Sequence, residues 1–321
     1  MGPSAITGRF TTEKMRDHLR WVHLSDIHGR LPAALDQERI FDRLGADLQA
    51  RRQAGWVPDF VFVTGDLVAS GKGPEYEVVL QHFLTLSEVI GLDRARFVFC
   101  PGNHDVDWDL SPVLLRGCQI TLGDSRAVDA FLASPERSSL LDRQVAFRKF
   151  VSRFYAADPQ RQDVDPNEGF CPRHLHTLKH FDVEGLAVSV VATNSSWLCN
   201  GGASDHECLV VGLYHFEQLL QQWDPPAAHV AFALIHHPFD WLVGFEADHV
   251  ESLCCKRFDV ILRGHTHRSR TSRVAIGNDG RKLSTTRGDG PSGRWVGDIS
   301  CSWLARPELG SAFTSILEEH G

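Results

Sequence analysis

Five short polar motifs of this 321-residue chain hold carboxylate, imidazole and amide side chains that could bind metal ions. The motifs are Ser25-Asp-Ile-His-Gly29, Thr64-Gly-Asp66, Pro101-Gly-Asn-His-Asp105, His236-His-Pro238 and Gly264-His-Thr-His267. They supply seven candidate ligands, namely Asp26, His28, Asp66, Asn103, His236, His265 and His267. Oxygen and imidazole donors without thiolate suit divalent manganese, iron, zinc or nickel better than they suit a structural zinc site.

Seven ligands are too many for one ion, but two ions that share a bridging carboxylate would use them all. Two such ions, roughly 3.5 to 4 Å apart, clamp the attacking and leaving oxygens of phosphoryl transfer. They also lower the pKa of bound water, so that a bridging hydroxide is available near neutral pH and no protein nucleophile is needed. This chemistry requires the five motifs to meet in space although they are far apart in the sequence.

Apolar runs before the motifs predict buried strands that end where the polar side chains begin. The predicted strands cover residues 20–24, 59–63, 96–99, 186–192, 229–235 and 258–262. Apolar residues at helical spacing lie between them, as in Phe41, Leu44 and Leu48. This alternation predicts an α/β fold, in which ligands bind beyond the carboxyl ends of the strands, so we expect the motifs to share one rim.

Two segments depart from this alternation. Residues 107–180 hold helical stretches separated by polar turns, which we interpret either as an insertion or cap over the main domain or as ordinary peripheral helices. The tail of residues 269–321 is rich in Gly, Arg and Ser and receives no role. The prediction is a single domain with a core of about residues 20–106 and 181–268.

Composition limits the partners and the location. The net charge of -8 predicts no global attraction to nucleic acid or to an anionic membrane, so a polyanionic substrate must be attracted locally. The sequence shows neither a signal peptide nor an apolar run long enough for a membrane span. Eight cysteines without a C-x-x-C pair indicate reduced thiols, which favours a cytoplasmic location.

In this order and at these strand ends, the motifs D-x-H, G-D, G-N-H-D, H-H-P and G-H-T-H resemble the calcineurin-like metallophosphoesterase superfamily. The resemblance covers roughly residues 21–267. It implies a four-layer αββα sandwich, here with a helical insertion, and a dimetal site at the sheet edges. It further implies a first metal on Asp26, His28 and His267, a second on Asn103, His236 and His265, and Asp66 as the bridge.

The same resemblance gives His104 a catalytic role just outside the metal ligands. There the imidazole would stabilise the transition state or protonate the leaving oxygen, and either role remains open. Asp105 is expected to orient this imidazole. His237 is the alternative to His236 as the ligand from its motif.

Several residues are candidate substrate contacts. They are His237, Asn194 at the end of a predicted strand, and Arg30 just after the first motif. A strand-end cap is the alternative for Asn194, and a surface salt bridge is the alternative for Arg30. Trp197 and Trp241 could form an aromatic rim for a nucleobase, although core burial would explain them equally well.

The motifs differ from the patterns G-D-x-x-D-R-G and G-N-H-E of serine/threonine protein phosphatases. They look more like the phosphodiesterase and nuclease branches, which predicts hydrolysis of a phosphodiester in a nucleotide or nucleic acid, with two manganese ions as the first choice of cofactor. A longer similarity to bacterial metallophosphoesterase domains leaves room for a protein partner or oligomer. The alternatives are a phosphomonoesterase or protein phosphatase, and a non-catalytic metal-binding scaffold that binds a partner.

Overall fold

A computed structural model describes residues 18–31, 35–156, 175–225 and 229–266, together with the backbone of three further strands between residues 270 and 300. The strands are β1 (His18–Ser25), β2 (Phe60–Thr64), β3 (Phe97–Cys100), β4 (His176–Val183), β5 (Leu186–Thr193), β6 (His229–Ile235), β7 (Val260–Arg263), β8 (Arg270–Ala275), β9 (Lys282–Arg287) and β10 (Gly293–Ser300). The helices are α1 (Leu35–Gln53), α2 (Gly73–Ile90), α3 (Pro112–Thr121), α4 (Ser125–Ala133), α5 (Arg137–Leu141), α6 (Val145–Ala156), α7 (Leu213–Gln221) and α8 (Gly244–Arg257).

The strands form two sheets that pack face to face. One sheet has the order β10-β1-β2-β3, and the other has the order β4-β5-β6-β7-β9-β8. The central strands β1, β2 and β3 are parallel to one another, as are β5, β6 and β7. Their carboxyl ends therefore lie at one edge of each sheet, which is where the sequence predicted the site.

Strand β2 shows why the predicted strands are continuous apolar runs. Phe60 and Phe62 belong to the cluster buried between the two sheets, whereas Val61 and Val63 belong to the cluster under the helices. Because successive side chains of a strand point to opposite faces, a strand covered on both faces must be apolar throughout. All six predicted strands are present, with ends shifted by up to two residues.

Helices cover the outer face of each sheet, which confirms the predicted four-layer αββα sandwich. Apolar side chains of α1, α2 and α6 cover the four-stranded sheet, and those of α7 and α8 cover the six-stranded sheet. Helix α2 begins with Pro74 in its first turn and ends at Gly91, whose φ of 70° suits glycine. Of the helices that the structure describes, none is long and apolar enough to cross a membrane.

The region expected to be an insertion has two parts with different packing. Helix α6 buries Phe147, Phe150 and Phe154 in the same cluster as α2, so it belongs to the outer helical layer. Helices α3, α4 and α5 instead pack around their own apolar cluster, which includes Trp197 and Val210 from the loops after β5.

The tail, which has no predicted role, contributes strands to both sheets. Strand β10 pairs antiparallel with the whole of β1, and β9 pairs in parallel with β7. Strand β8 then pairs antiparallel with β9. The sheets therefore extend beyond the core boundary expected at residue 268.

Candidate metal centre

The predicted ligands follow the carboxyl ends of five strands and meet across the two sheets. Asp26 and His28 follow β1, Asp66 follows β2, Asn103 follows β3, His236 follows β6 and His265 follows β7. Ligand atoms of Asp26, Asp66 and His236 lie within 4.8 Å of one another, as do those of His28, Asp66 and His104. Asp66 belongs to both groups, and it is the residue predicted to bridge two metals.

Four of these residues have backbone conformations that non-glycine residues rarely adopt. The φ angles are 56° at Asp26, 50° at His28, 53° at Asp66 and 73° at His265. Such conformations cost of order 1–3 kcal/mol each and persist where the surroundings enforce them, often at functional sites. Here backbone hydrogen bonds from Asp26 N to Gly65 O (3.1 Å) and from His28 N to Asp66 O (2.9 Å) hold the loops after β1 and β2 together.

Two glycines allow these loops to approach closely. Gly65 has a φ of +89°, and a Cβ on it would lie 2.5 Å from Gly102 N and 2.7 Å from His236 Nδ1. A Cβ on Gly102 would overlap the Asp66 carboxylate. Larger residues at either position would therefore push the ligands of the two sheets apart.

The ligand atoms of five predicted metal ligands lie close together in the centre. His236 Nε2 lies 3.0 Å from Asn103 Oδ1 and 3.3 Å from Asp66 Oδ2. His265 Nδ1 lies 3.0 Å from the same Asn103 oxygen. His28 Nε2 lies 3.8 Å from Asp66 Oδ2.

The tautomer of His236 shows that this position suits a cation. His236 Nδ1 lies 2.6 Å from the carbonyl oxygen of Thr64, which can only accept a hydrogen bond, so we assign the proton to Nδ1. The Nε2 atom therefore faces the oxygens of Asn103 and Asp66, where it can carry a proton or, once that proton is released, bind a divalent ion. The oxygen and nitrogen donors at this position fit such an ion.

Charges at this position shift both partners toward their ionised forms. Burial alone would lower the pKa of His236, but the charge of Asp66 and its hydrogen bond, together with Asp26, raise that pKa to about 9. Burial would raise the pKa of Asp66, but His236, His104 and His28 hold it well below its ordinary value. The centre therefore keeps a carboxylate available for a cation.

A sequence model of the calcineurin-like phosphoesterase family matches residues 19–269. The chain belongs to this family. The match includes all five motifs and ends before β8, so it covers the strands that carry the ligands. Family membership supports phosphoester hydrolysis as the reaction class and a dinuclear divalent metal centre as its cofactor.

One curated relative is an uncharacterized metallophosphoesterase-like protein, YydB, of Bacillus subtilis (strain 168). It is 22% identical over 280 residues, which are 84% of this chain and 53% of the relative. The chain thus spans about half the length of this relative.

Two solved structures match most of this chain at low sequence identity. The NAD nucleotidase of Haemophilus influenzae gives a TM-score of 0.43 at 11% identity, covering 89% of this chain and 47% of the other. A purple acid phosphatase from yellow lupin (Lupinus luteus) seeds gives a TM-score of 0.49 at 11% identity, covering 89% of this chain and 50% of the other.

His104 of this family member lies beside the ligands with one ring nitrogen already bound. Its Nδ1 lies 2.7 Å from the carbonyl oxygen of Ala69, so we place a proton on Nδ1 and leave Nε2 to exchange a proton. Its backbone N–H donates to Asp66 Oδ1 at 2.8 Å. The His104 ring meets the His28 ring edge to face, with centroids 4.5 Å apart.

Asp105 has a different task from the one predicted, because Ala69 rather than Asp105 orients the His104 ring. Its carboxylate accepts hydrogen bonds from Leu67 N (3.0 Å), Tyr76 Oη (2.8 Å) and Gly102 N (2.8 Å). Burial and the charge of Asp66 raise the pKa of Asp105 to about 7. Asp105 thus joins the loops after β2 and β3, which carry Asp66 and Asn103.

A ring nitrogen of His237 lies within 4.8 Å of ligand atoms of His236 and His265, but both of its ring nitrogens have other polar neighbours. Its Nδ1 lies 2.8 Å from Ser195 Oγ, and its Nε2 lies 3.8 Å from Cys199 Sγ. Burial and the charges of His236 and His265 lower the pKa of His237 well below its ordinary value, so this ring is neutral. The geometry favours His236 as the ligand from this motif.

Two predicted substrate contacts and one predicted metal ligand remain to be placed. Asn194 is buried and exchanges hydrogen bonds with Gln144, and its Oδ1 also accepts from Ser196 N at 3.0 Å, as expected of a strand-end cap. Arg30 is exposed just after the first motif. The predicted ligand His267 lies outside the described residues, so its assignment stays a prediction.

Trp108 supports the site but carried no signal in the sequence. Its indole Nε1 donates to the carbonyl oxygen of Asn103 at 3.0 Å, and its ring lies 5.0 Å from the ring of His104. Gly201 packs against the other side of the indole, where a Cβ would overlap the ring. These contacts join loops from both sheets, which a local pattern does not reveal.

Proposed function

We propose that this chain hydrolyses a phosphodiester of a nucleotide or nucleic acid, using two divalent metal ions, with manganese as the first choice. The observation that carries the proposal is the shared position of Asp66, Asn103 and His236, at which two oxygens and one imidazole nitrogen converge. Its other support is the G-N-H-D motif, which differs from the G-N-H-E of protein phosphatases.

The assignment of ligands follows the same geometry. Asn103, His236 and His265 contact one another and would hold one ion, and Asp66 touches this group through His236. Asp26 and His28 would hold the second ion together with His267, and His28 Nε2 lies 3.8 Å from the same Asp66 Oδ2 that His236 approaches. When bound, such ions supply Lewis acidity toward the phosphoryl oxygens and lower the pKa of water.

The protein itself would contribute a proton at the leaving oxygen. His104 Nδ1–H donates to Ala69 O, which leaves Nε2 as the atom that carries the exchangeable proton. The backbone bond from His104 to Asp66 fixes the imidazole beside the bridging carboxylate. A general acid held in this way contributes about 10²- to 10⁴-fold to the rate.

Purified protein should therefore be loaded with manganese, iron, zinc or nickel and assayed with bis(p-nitrophenyl) phosphate. We expect two ions per chain and turnover that depends on the metal. Preference for p-nitrophenyl phosphate would instead favour a phosphomonoesterase. Two bound metals without turnover of any ester would favour a scaffold. Cutting of DNA or RNA would separate a nuclease from an enzyme that acts on cyclic or other small nucleotides.

A further inference from the structure

Trp241 borders the metal centre and is only partly buried. It ends a short 3-10 turn, Phe239–Trp241, that directly follows the His236-His-Pro238 motif. Its ring meets the His265 ring edge to face, with centroids only 4.0 Å apart. A group attached to a phosphate at the centre therefore has this indole as a neighbour.

The backbone around Trp241 is fixed by hydrogen bonds. Trp241 N donates to Pro238 O at 3.1 Å, and Trp241 O accepts from Leu209 N at 3.2 Å. Val243 N then donates to Leu209 O at 2.8 Å. The indole is thus held in place before any ligand binds, which lowers the entropic cost of using it for recognition.

Two other tryptophans of the described chain are buried, which accounts for their contacts without a ligand. Trp197, which the sequence had grouped with Trp241 as a candidate rim, is fully buried among α3, α4 and α5. Trp223 is buried and donates its N–H to Ser189 Oγ. Trp241 is only half-buried, and its indole N–H donates to no residue within the part of the chain that the structure describes.

Two further histidine rings lie against this indole. The buried His237 ring stacks against it with centroids 5.9 Å apart and planes 26° apart. The exposed His206 ring meets it edge to face at 5.2 Å. A planar aromatic group is the chemistry that such a surface binds, because a ring can stack on the indole without needing a specific hydrogen bond.

We propose that Trp241 is a specificity-determining residue that stacks on the planar group, such as a nucleobase, of the part of a phosphodiester that stays on the phosphate after cleavage. This inference rests on the proposed phosphodiester hydrolysis and names the chemistry of its substrate. It distinguishes Trp241 from His104, which acts at the leaving oxygen.

Two esters with the same leaving group test the inference. Thymidine 5′-(p-nitrophenyl) phosphate and methyl p-nitrophenyl phosphate both release p-nitrophenol and differ only in the retained group. In the wild type we expect a KM about ten-fold lower for the thymidine ester, which corresponds to about 1.4 kcal/mol. Trp241→Leu should bring the ratio of the two KM values close to one, and Trp241→Phe should retain most of the difference.

Trp56→Leu is the matched control, because Trp56 is also half-buried but lies after α1, under the outer helices. It should keep the wild-type ratio. A wild-type ratio near one, or an unchanged ratio in Trp241→Leu, would overturn the role of Trp241 while leaving the diesterase function intact. Failure of the wild type to cleave either ester, with metals bound, would overturn the proposed function and this inference with it.

A measurement on the wild type alone covers the case in which Trp241→Leu does not fold. Thymidine 5′-monophosphate should inhibit the hydrolysis of methyl p-nitrophenyl phosphate at about ten-fold lower concentration than inorganic phosphate does. Equal inhibition by the two compounds would contradict stacking on the indole. Inhibition by the nucleotide at the expected ten-fold lower concentration would support it.

Discussion

The two sheets supply different chemistry to the same centre. The edge of the four-stranded sheet presents Asp26, His28, Asp66 and Asn103, of which three offer oxygen and three have left-handed backbone. The described edge of the six-stranded sheet presents the imidazoles of His236 and His265. One edge therefore brings the negative charge and most of the backbone strain, and the described part of the other brings imidazole nitrogens.

The contacts between these edges explain why both are needed. His236 Nδ1–H donates to Thr64 O, and His265 N–H donates to the Asp26 carboxylate at 3.1 Å. Asn103 Oδ1 lies 3.0 Å from both imidazoles. Neither sheet holds a complete set of predicted ligands, so cations bound here would join the two sheets.

The largest effect is expected at the four-stranded edge. Asp66→Asn keeps the shape of the side chain but removes the charge that both ligand groups share. Loss of a residue that only supports a metal ligand typically costs up to about 10²-fold in activity. Loss of the bridging charge should lower kcat by more than this, and the metal content should also drop. Metal analysis with the bis(p-nitrophenyl) phosphate assay checks this, and full turnover by the variant would refute the bridging role.

His265→Ala tests the six-stranded edge. It removes a nitrogen donor but leaves Asp66 and the loops after β1 and β2 in place. The ion that His265 would bind should therefore be lost, while the other ion should stay bound. Activity should fall strongly but by less than in Asp66→Asn. Two tightly bound metals in His265→Ala would show that the six-stranded edge contributes less than the comparison implies.

His104→Ala separates chemistry from metal binding. Both ions should remain, because the hydrogen bond from His104 to Asp66 runs through its backbone N–H, which alanine keeps. The rate should fall about 10²- to 10⁴-fold if the imidazole is the general acid. An ester with a better leaving group should lose less, and equal losses for good and poor leaving groups would exclude proton donation.

Trp108→Phe should have a smaller effect on catalysis. It removes the hydrogen bond to Asn103 O but keeps an aromatic ring next to His104 and Gly201. A hydrogen bond contributes about 1 kcal/mol, so we expect kcat to fall by roughly five-fold with metal content unchanged. Trp56→Phe is the matched control, and an equal effect in both variants would remove Trp108 from the support of the site.

Removal of the metals should lower the melting temperature without unfolding the protein. Ions present at 100 times their Kd stabilise by about 2.7 kcal/mol, which for a chain of this size means a few degrees. Chelator should therefore lower the Tm of the wild type and have little effect on Asp66→Asn. Equal shifts in both proteins would mean that the ions stabilise some other part of the chain.

The sequence predicts the parts of this molecule that have a local signal. The strands that carry ligands are apolar runs because both of their faces are buried, and glycines such as Gly65 mark the turns after them. The adjacent residues His236 and His237 show the limit. The neighbouring sequence does not determine which ring reaches Asn103, because that depends on contacts with Thr64 and Ser195, which are distant in the sequence.

The missed features lack a local signal for identifiable reasons. Strand β4 is an edge strand whose residues are largely half-buried or exposed, so it contains no long apolar run. Ala69 orients His104 through a backbone carbonyl, which no side-chain pattern encodes. The contact of Trp108 with Gly201 depends on loops distant in the sequence, so only the fold brings the two together.

The pairing of β10 with β1 has a practical consequence for shortening the chain. The region that matches the family ends at residue 269, and a protein truncated there would lose β10, β9 and β8. The edge of β1, just before Asp26, would then expose a row of unpaired backbone groups, and such an edge recruits strands from other molecules. A truncation chosen by the limits of the family would thus favour aggregation over catalysis.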